Sequence, residues 1–210
     1  MPNIPIFMGG AGLNTDNNFG PYCMEQRIMD CWIRGEGELS VPAYLRGEMT
    51  HPGLNGIPPK QIDNIDDLDF PDYSDYELAS YTNKKGLVAL PITGSRGCVR
   101  ACTFCDIASM WPKYKFRSGK SIATEIKTQV AKYNAKAFRF TDSLINGSMK
   151  AFRDMTYELA EFRSAMKPED RFIWDSHFIV RSRKQMPPED FVKMAESGDG
   201  CTCLFITGHR

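Results

Sequence analysis

The sequence has no apolar run near the ~20 residues needed to cross a bilayer. Its start, Met1-Pro2-Asn3-Ile4-Pro5, has neither a basic stretch nor the apolar stretch of an export signal. A soluble, cytoplasmic protein without a membrane partner is the expectation. An excess of either charge is missing too: 26 Lys and Arg face 26 Asp and Glu over 210 residues. Without a broad basic field there is no electrostatic footprint for nucleic acid. Nucleotide-binding glycine patterns are incomplete. Gly10-x-Gly12 lacks its third glycine at Thr15, which excludes a dinucleotide fingerprint. Gly119-Lys120-Ser121 resembles the end of a phosphate loop, but Tyr114 stands where that loop needs glycine, and no strand leads directly into it. What the chain does not lack is cysteine. Seven in a reducing compartment, odd in number and unevenly spaced, fit a disulfide framework poorly and a metal or catalytic site better.

Three regions follow from composition and periodicity. Residues 1–46 read as two short βα fragments. An apolar run at residues 4–8 ends in Gly9-Gly10-Ala11-Gly12, and Cys31-Trp32-Ile33 is followed by Gly35-Glu36-Gly37-Glu38 and a helix through Leu45. Glu36 and Glu38, between glycines, are expected to be exposed or paired with Arg34. Two strands and a helix bury too little to stand alone. Residues 47–86, rich in Pro, Gly, Asn and Asp, read as a connecting segment anchored by Phe70 and Tyr73.

From residue 87 onward, strands alternate with helices. Strands are expected at 87–92, 137–141, 172–180 and 201–207. Helices carry Ile122, Ile126 and Val130 on one face, then Met149, Phe152, Thr156, Leu159 and Phe162, then Phe191 and Met194. Ser148 is a candidate cap, Pro188 a helix start and Gly198 a helix stop. Such alternation predicts an α/β fold of parallel βα units, wound into part of a barrel or an open sheet. In a barrel, function gathers at the C-terminal ends of strands. Those positions bring together a cysteine loop, Asp142, Arg181 and His209.

The loop reads Gly97-Cys98-Val99-Arg100-Ala101-Cys102-Thr103-Phe104-Cys105, a C-x3-C-x2-C spacing. Three soft thiolates on one short loop suit an iron–sulfur cluster or zinc. A [4Fe–4S] cluster normally takes four cysteines, so three leave one iron open to a ligand. The alternative is a structural zinc site completed by His177 or His209 in a non-catalytic protein. No second C-x2-C pair supports it, and Cys201 and Cys203, on one face of a strand, read as packing.

With its aromatic Phe104 before the last cysteine and its place after the first strand, this loop resembles that of the radical S-adenosylmethionine (radical SAM) superfamily, over about residues 87–210. The resemblance implies that Cys98, Cys102 and Cys105 ligate a [4Fe–4S] cluster whose fourth iron is chelated by S-adenosylmethionine. Phe104 would lend backbone contacts near the adenine. Asp142 and Ser143 would hold the methionine end or ribose, unless they form only a loop before the Ser148 cap. Arg181 would pair with the cofactor carboxylate, unless with Arg183 it forms a solvated turn. The implied chemistry is reductive cleavage of S-adenosylmethionine to a 5′-deoxyadenosyl radical, which abstracts hydrogen from an unidentified substrate. A flavodoxin- or ferredoxin-type donor would supply the electron.

The glycine loops of residues 1–46 and Leu68-Asp69-Phe70-Pro71-Asp72-Tyr73 resemble the branch with a cobalamin-binding domain before the barrel. They would be the tail of that doubly wound α/β domain, followed by a linker over 47–86 and the first four strands of the radical SAM core over 87–210. The Asp-x-His-x-x-Gly cobalamin loop is absent, and Asp175-Ser176-His177 copies only its first half, so cobalamin binding by this chain is not expected. Thr207-Gly208-His209-Arg210 stands where the branch has Gly-x-Glu-Ser. The chain is expected to be an internal fragment of a longer protein or a truncated gene product.

Overall fold

A computed structural model describes residues 4–13, 18–82 and 86–200. The chain divides into two units, Met1–Asp63 with Ser109–Trp111, and Asn64–Ala108 with Pro112–Arg210. No helix among the described residues is long and apolar enough to cross a membrane.

In the first unit, β1 (Phe7–Met8) and β2 (Cys31–Trp32) pair in parallel, with α1 (Phe19–Glu25) between them and α2 (Gly37–Leu45) after. The Trp32 indole lies against Gly20, where a Cβ would come within 2.6 Å of the ring, so only glycine admits the indole there. Trp32 joins Leu13, Cys23 and Met29 in one apolar cluster, while Cys31, Ile33 and Leu54 form a second. Leu54 comes from the Pro- and Gly-rich segment that composition marks as connecting chain, yet it is fully buried and bridges Ile33. Asn55 fastens the same turn by accepting from Trp32 N at 3.1 Å and donating its own N–H to Trp32 O at 2.9 Å. Glu36 corrects the expectation of an exposed turn residue. It is buried at the start of α2, and its carboxylate accepts from the backbone N–H of Ile62.

In the second unit, β3 (Ala89–Ile92) leads into the cysteine loop, which contains β4 (Ser95–Arg96), the first half of α3 (Ile107–Met110) and β5 (Lys115–Phe116). Then come α4 (Gly119–Tyr133), β6 (Ala137–Phe140), α5 (Met149–Ser164), β7 (Ile173–Asp175) and α6 (Pro188–Ser197). The parallel sheet has the order β3-β6-β7, with Leu90 opposite Phe138 and Phe138 opposite Trp174. Consecutive strands as neighbours are what βα units predict. Beyond α6 the chain returns to the sheet: Asp199 bridges Trp174 in parallel, and Gly200 N donates to Trp174 O at 2.8 Å. The strand expected at 201–207, with Cys201, Cys203 and His209, lies outside the described residues.

The strands are shorter than their apolar runs. Expected over 172–180, β7 ends at Asp175, and the chain beyond it becomes a loop clamped by side chains. In β3, Leu90 and Ile92 are buried while Ala89 and Pro91 are exposed. Leu90, Ile92, Phe138, Phe140 and Trp174 turn towards Ile122, Ile126, Phe152, Met155 and Leu159 of the helices. Edge-to-face contacts lock this layer, Phe138 on Phe172 and Phe140 on Trp174, each with centroids 5.6 Å apart.

Helix ends follow the sequence signals at Ser148, Pro188 and Gly198, and Ser118 adds a cap that the sequence did not mark. Ser118 and Ser148 cap α4 and α5 by accepting from Ser121 N and Ala151 N. Pro188 opens α6, and Gly198, at φ +104°, closes it. Gly119, which sequence likeness sets beside phosphate loops, has a packing role. It sits where α4 meets α5, and a Cβ there would fall on the Ala151 carbonyl and the Met155 amide. Gly119→Ala, which would strengthen a free helix by up to about 1 kcal/mol, is therefore expected to destabilise the protein by about 1–3 kcal/mol. The urea midpoint gives the sign.

Candidate active site: the cysteine loop and its supports

The cysteine loop leaves the C-terminal end of β3 and returns at β5, so β4 and β5 form an antiparallel ladder at its base, Ser95 opposite Phe116. The three thiols sit on the excursion between them. Gly97, at φ +83°, makes the turn into Cys98, a backbone angle that side chains rarely adopt. Cys98 and Cys102 are half-buried, Cys105 is exposed, and all three are free. Cys105 N donates to Cys102 O at 3.1 Å, and Arg100 N donates to Cys98 Sγ at 3.4 Å. Phe104 stands 81% exposed.

Among the described residues, no three of His, Cys, Asp and Glu are gathered as a metal cage. No zinc site with His177 is formed. His177 is exposed, with Nδ1 3.3 Å from Asp142 O. The donor chemistry nevertheless fits an iron–sulfur group: three thiols tied in no disulfide, on a loop anchored at its ends.

The firmness of those ends comes from buried polar side chains. Asp142, just beyond β6, is 2% exposed. Its two oxygens accept from Gly94 N at 2.8 Å and Ser95 Oγ at 2.5 Å. Asn146, fully buried, receives Ile179 N at 3.1 Å and donates to Ile179 O at 2.8 Å, so one amide fastens the loop after β7. Arg181 turns inward, donating from Nη2 to Asn146 O at 2.7 Å, and is therefore no solvated turn, whereas Arg183 is exposed. Ser143 is half-buried between Asp142 and Leu144 and makes no side-chain bond among the described residues. The expected cofactor residues thus divide: Phe104 and Ser143 have side chains open to a ligand, and Asp142 and Arg181 have theirs engaged within the fold.

Periodicity could not reveal the loop's returning arm. Tyr114 packs on Gly147, where a Cβ would collide with its hydroxyl, and it stacks on Phe116 at 5.8 Å. Burial pushes the Tyr114 phenol above its ordinary pKa. Arg117 is buried against Glu125 in a direct ion pair, donates to Thr93 O at 3.1 Å, and lies 5.3 Å from the centre of the Phe70 ring. Burial raises the Glu125 pKa, and the Arg117 charge opposes the rise. Removing only the cation, as in Arg117→Met, is expected to cost about 3–5 kcal/mol, because Glu125 is left buried and unpaired. Arg117→Met with Glu125→Leu should recover most of that loss in the same denaturation experiment.

Burial pushes the Asp142 carboxyl up to about 6, against the opposing pull of Ser95 and Gly94. Its folded-state value then lies above the unfolded one of 3.8. The native chain binds this proton more tightly, so the stability linked to it is present in full below about pH 4 and is lost as pH rises through about 6. The difference is worth about 3 kcal/mol. Asp142→Asn should remove that decline, seen as a wild-type-minus-variant stability difference that changes between about pH 4 and 7 in urea titrations.

No family model matches the chain. The anaerobic magnesium-protoporphyrin IX monomethyl ester cyclase of Synechocystis is 26% identical over 156 residues, a match covering 68% of this chain and 31% of the cyclase. Among solved structures, the radical S-adenosylmethionine methyltransferase TsrM from Kitasatospora setae, with cobalamin and a [4Fe–4S] cluster bound, superposes with a TM-score of 0.61 at 17% identity. That alignment covers 96% of this chain and 41% of TsrM. The cobalamin-dependent S-adenosylmethionine radical enzyme OxsB, with aqua-cobalamin and S-adenosylmethionine bound, gives 0.65 at 17% identity, over 92% of this chain and 30% of OxsB. The chain spans less than half the length of each of these proteins. By fold, this chain is similar to part of two radical S-adenosylmethionine enzymes that are solved with cobalamin, and by sequence it is similar to part of a cyclase.

Proposed function

We propose that this chain carries the cluster-binding part of a radical S-adenosylmethionine enzyme. The carrying observation is the loop of Cys98, Cys102 and Cys105, three free thiols on an excursion from the C-terminal end of the first parallel strand, with both ends anchored. In this reading the three thiolates ligate a [4Fe–4S] cluster and leave one iron for S-adenosylmethionine. Held by Cys98, Cys102 and Cys105, such a cluster would supply the electron for reductive cleavage of S-adenosylmethionine into methionine and a 5′-deoxyadenosyl radical able to take hydrogen from a substrate.

The chain's own residues position and shield. Phe104, exposed beside Cys105, offers backbone contacts to the adenine, and the Ser143 hydroxyl is free for the methionine or ribose end. Arg181 acts at one remove, holding the carbonyls of residues 146 and 147. A flavodoxin- or ferredoxin-type protein in the cytoplasm would deliver the electron. TsrM and OxsB hold cobalamin. The Asp-x-His-x-x-Gly loop does not occur in this sequence, and the proposal assigns none of these residues to cobalamin.

Anaerobic reconstitution with iron and sulfide, followed by reduction and EPR with and without S-adenosylmethionine, tests the reading. A reduced [4Fe–4S] signal that changes on adding S-adenosylmethionine is expected, and Cys102→Ala should abolish it. One zinc per chain with no iron would overturn it.

A further inference from the structure

We propose that Asp142 is a positioning residue for the cysteine loop: its carboxylate, buried at the end of β6, fixes the loop's first residues and thereby the course on which Cys98 leaves the sheet. The proposal rests on the reading of the loop as a cluster site, and it assigns Asp142 a role through Cys98 in place of contact with the cofactor.

The geometry carries it. Each carboxylate oxygen has its own donor on the loop, Gly94 N for one and Ser95 Oγ for the other, and the group is closed to solvent. The Ser95 hydroxyl also lies 3.3 Å from Leu144 O, two residues past Asp142, so the loop entrance is tied to the β6 extension twice. Gly94 makes this approach possible. A Cβ there would stand 3.2 Å from Asp142 Oδ1 and 3.1 Å from Ile122, tighter than ordinary contact. From Ser95 the chain runs through Arg96 and the left-handed turn at Gly97 directly into Cys98, leaving little slack between the anchor and the first thiol.

The returning arm reports to the same place. Arg117 N donates to Gly94 O at 2.8 Å, and Tyr114 rests on Gly147. Cys102 and Cys105 lie farther along the chain from Ser95, in a turn of their own where Cys105 N donates to Cys102 O. A carboxylate turned toward a cofactor would have to release both donors and leave the Gly94 amide buried without an acceptor. The structure instead gives Asp142 the kind of supporting bond that orients a metal-binding segment from behind.

The test uses the full chain with Asp142→Ala and, as the milder variant, Ser95→Ala. Two readouts are taken: the rate at which a chelator strips iron from the reconstituted protein, with the EPR line shape of the reduced cluster, and the iodoacetamide rate of each loop thiol in the metal-free protein. Asp142→Ala is expected to lose iron about tenfold faster, with an altered line shape. Its Cys98 rate should rise towards that of Cys105, whose own rate stays constant. Ser95→Ala should move Cys98 the same way by less, and it decides the matter alone if Asp142→Ala does not fold by circular dichroism. A Cys98 rate equal to wild type in the folded variants overturns the proposal. If wild-type protein takes up no cluster, the functional reading falls, and the thiol rates still decide the role of Asp142.

Discussion

A carboxylate closed off from water at the end of a strand must find its donors inside the protein, and Asp142 finds them on the loop that carries the thiols. Parallel strands end in backbone with no ladder to continue, and buried polar groups there need partners. In this chain one short stretch, residues 142–147, provides for both neighbours. Asp142 and Leu144 hold the loop after β3, and Asn146 holds the loop after β7. The Ile145 N–H donates to His177 O at 3.0 Å, adding a backbone tie on the same side. The three strand ends are therefore tied to one another through residues 142–147.

The same economy of polar groups fastens the chain that precedes β3. Asp66 accepts from Ser118 N at 3.0 Å, and Phe70 lies over the Arg117 guanidinium. Gln129, almost fully buried on α4, donates to Pro71 O at 2.9 Å. Asp72 accepts from Tyr133 Oη and Lys132, which with Ser74 hold its carboxyl well below the usual range, and Tyr73 packs on the apolar core. Phe70 and Tyr73 are the anchors that the sequence marks in an otherwise aperiodic stretch. Their partners, Arg117 ahead of α4 and Tyr133 at its end, could not be read from it, because a contact across such a sequence separation has no period.

The helices were legible because burial imposes a period on them. Ile122 and Ile126, and then Phe152, Thr156 and Leu159, are buried on their respective helices, and Ser148, Pro188 and Gly198 mark ends where unpaired backbone groups need caps or a left-handed residue. Strand lengths were less legible. Val180 and its neighbours are apolar enough for a strand, but the Asn146 amide takes the backbone of Ile179 and draws that stretch into a loop. The burial of Glu36 was not legible for a related reason. Two flanking glycines suggest exposure, and only the fold shows that the Ile62 amide needs its carboxylate.

The sequence by itself determined the chemistry available: three cysteines in C-x3-C-x2-C spacing with an aromatic beside the last, following a strand, in a chain without excess charge. Thiolate softness and loop spacing are local properties, so they survive in one dimension. Tertiary structure decided which polar residues near that loop face a ligand and which face the protein. Asp142, Ser143 and Arg181 look alike in sequence as hydrogen-bonding residues after strands. Desolvation separates them: a buried Asp142 must keep the donors of Gly94 and Ser95, a half-buried Arg181 must cover the carbonyl of Asn146, and Ser143 is left free.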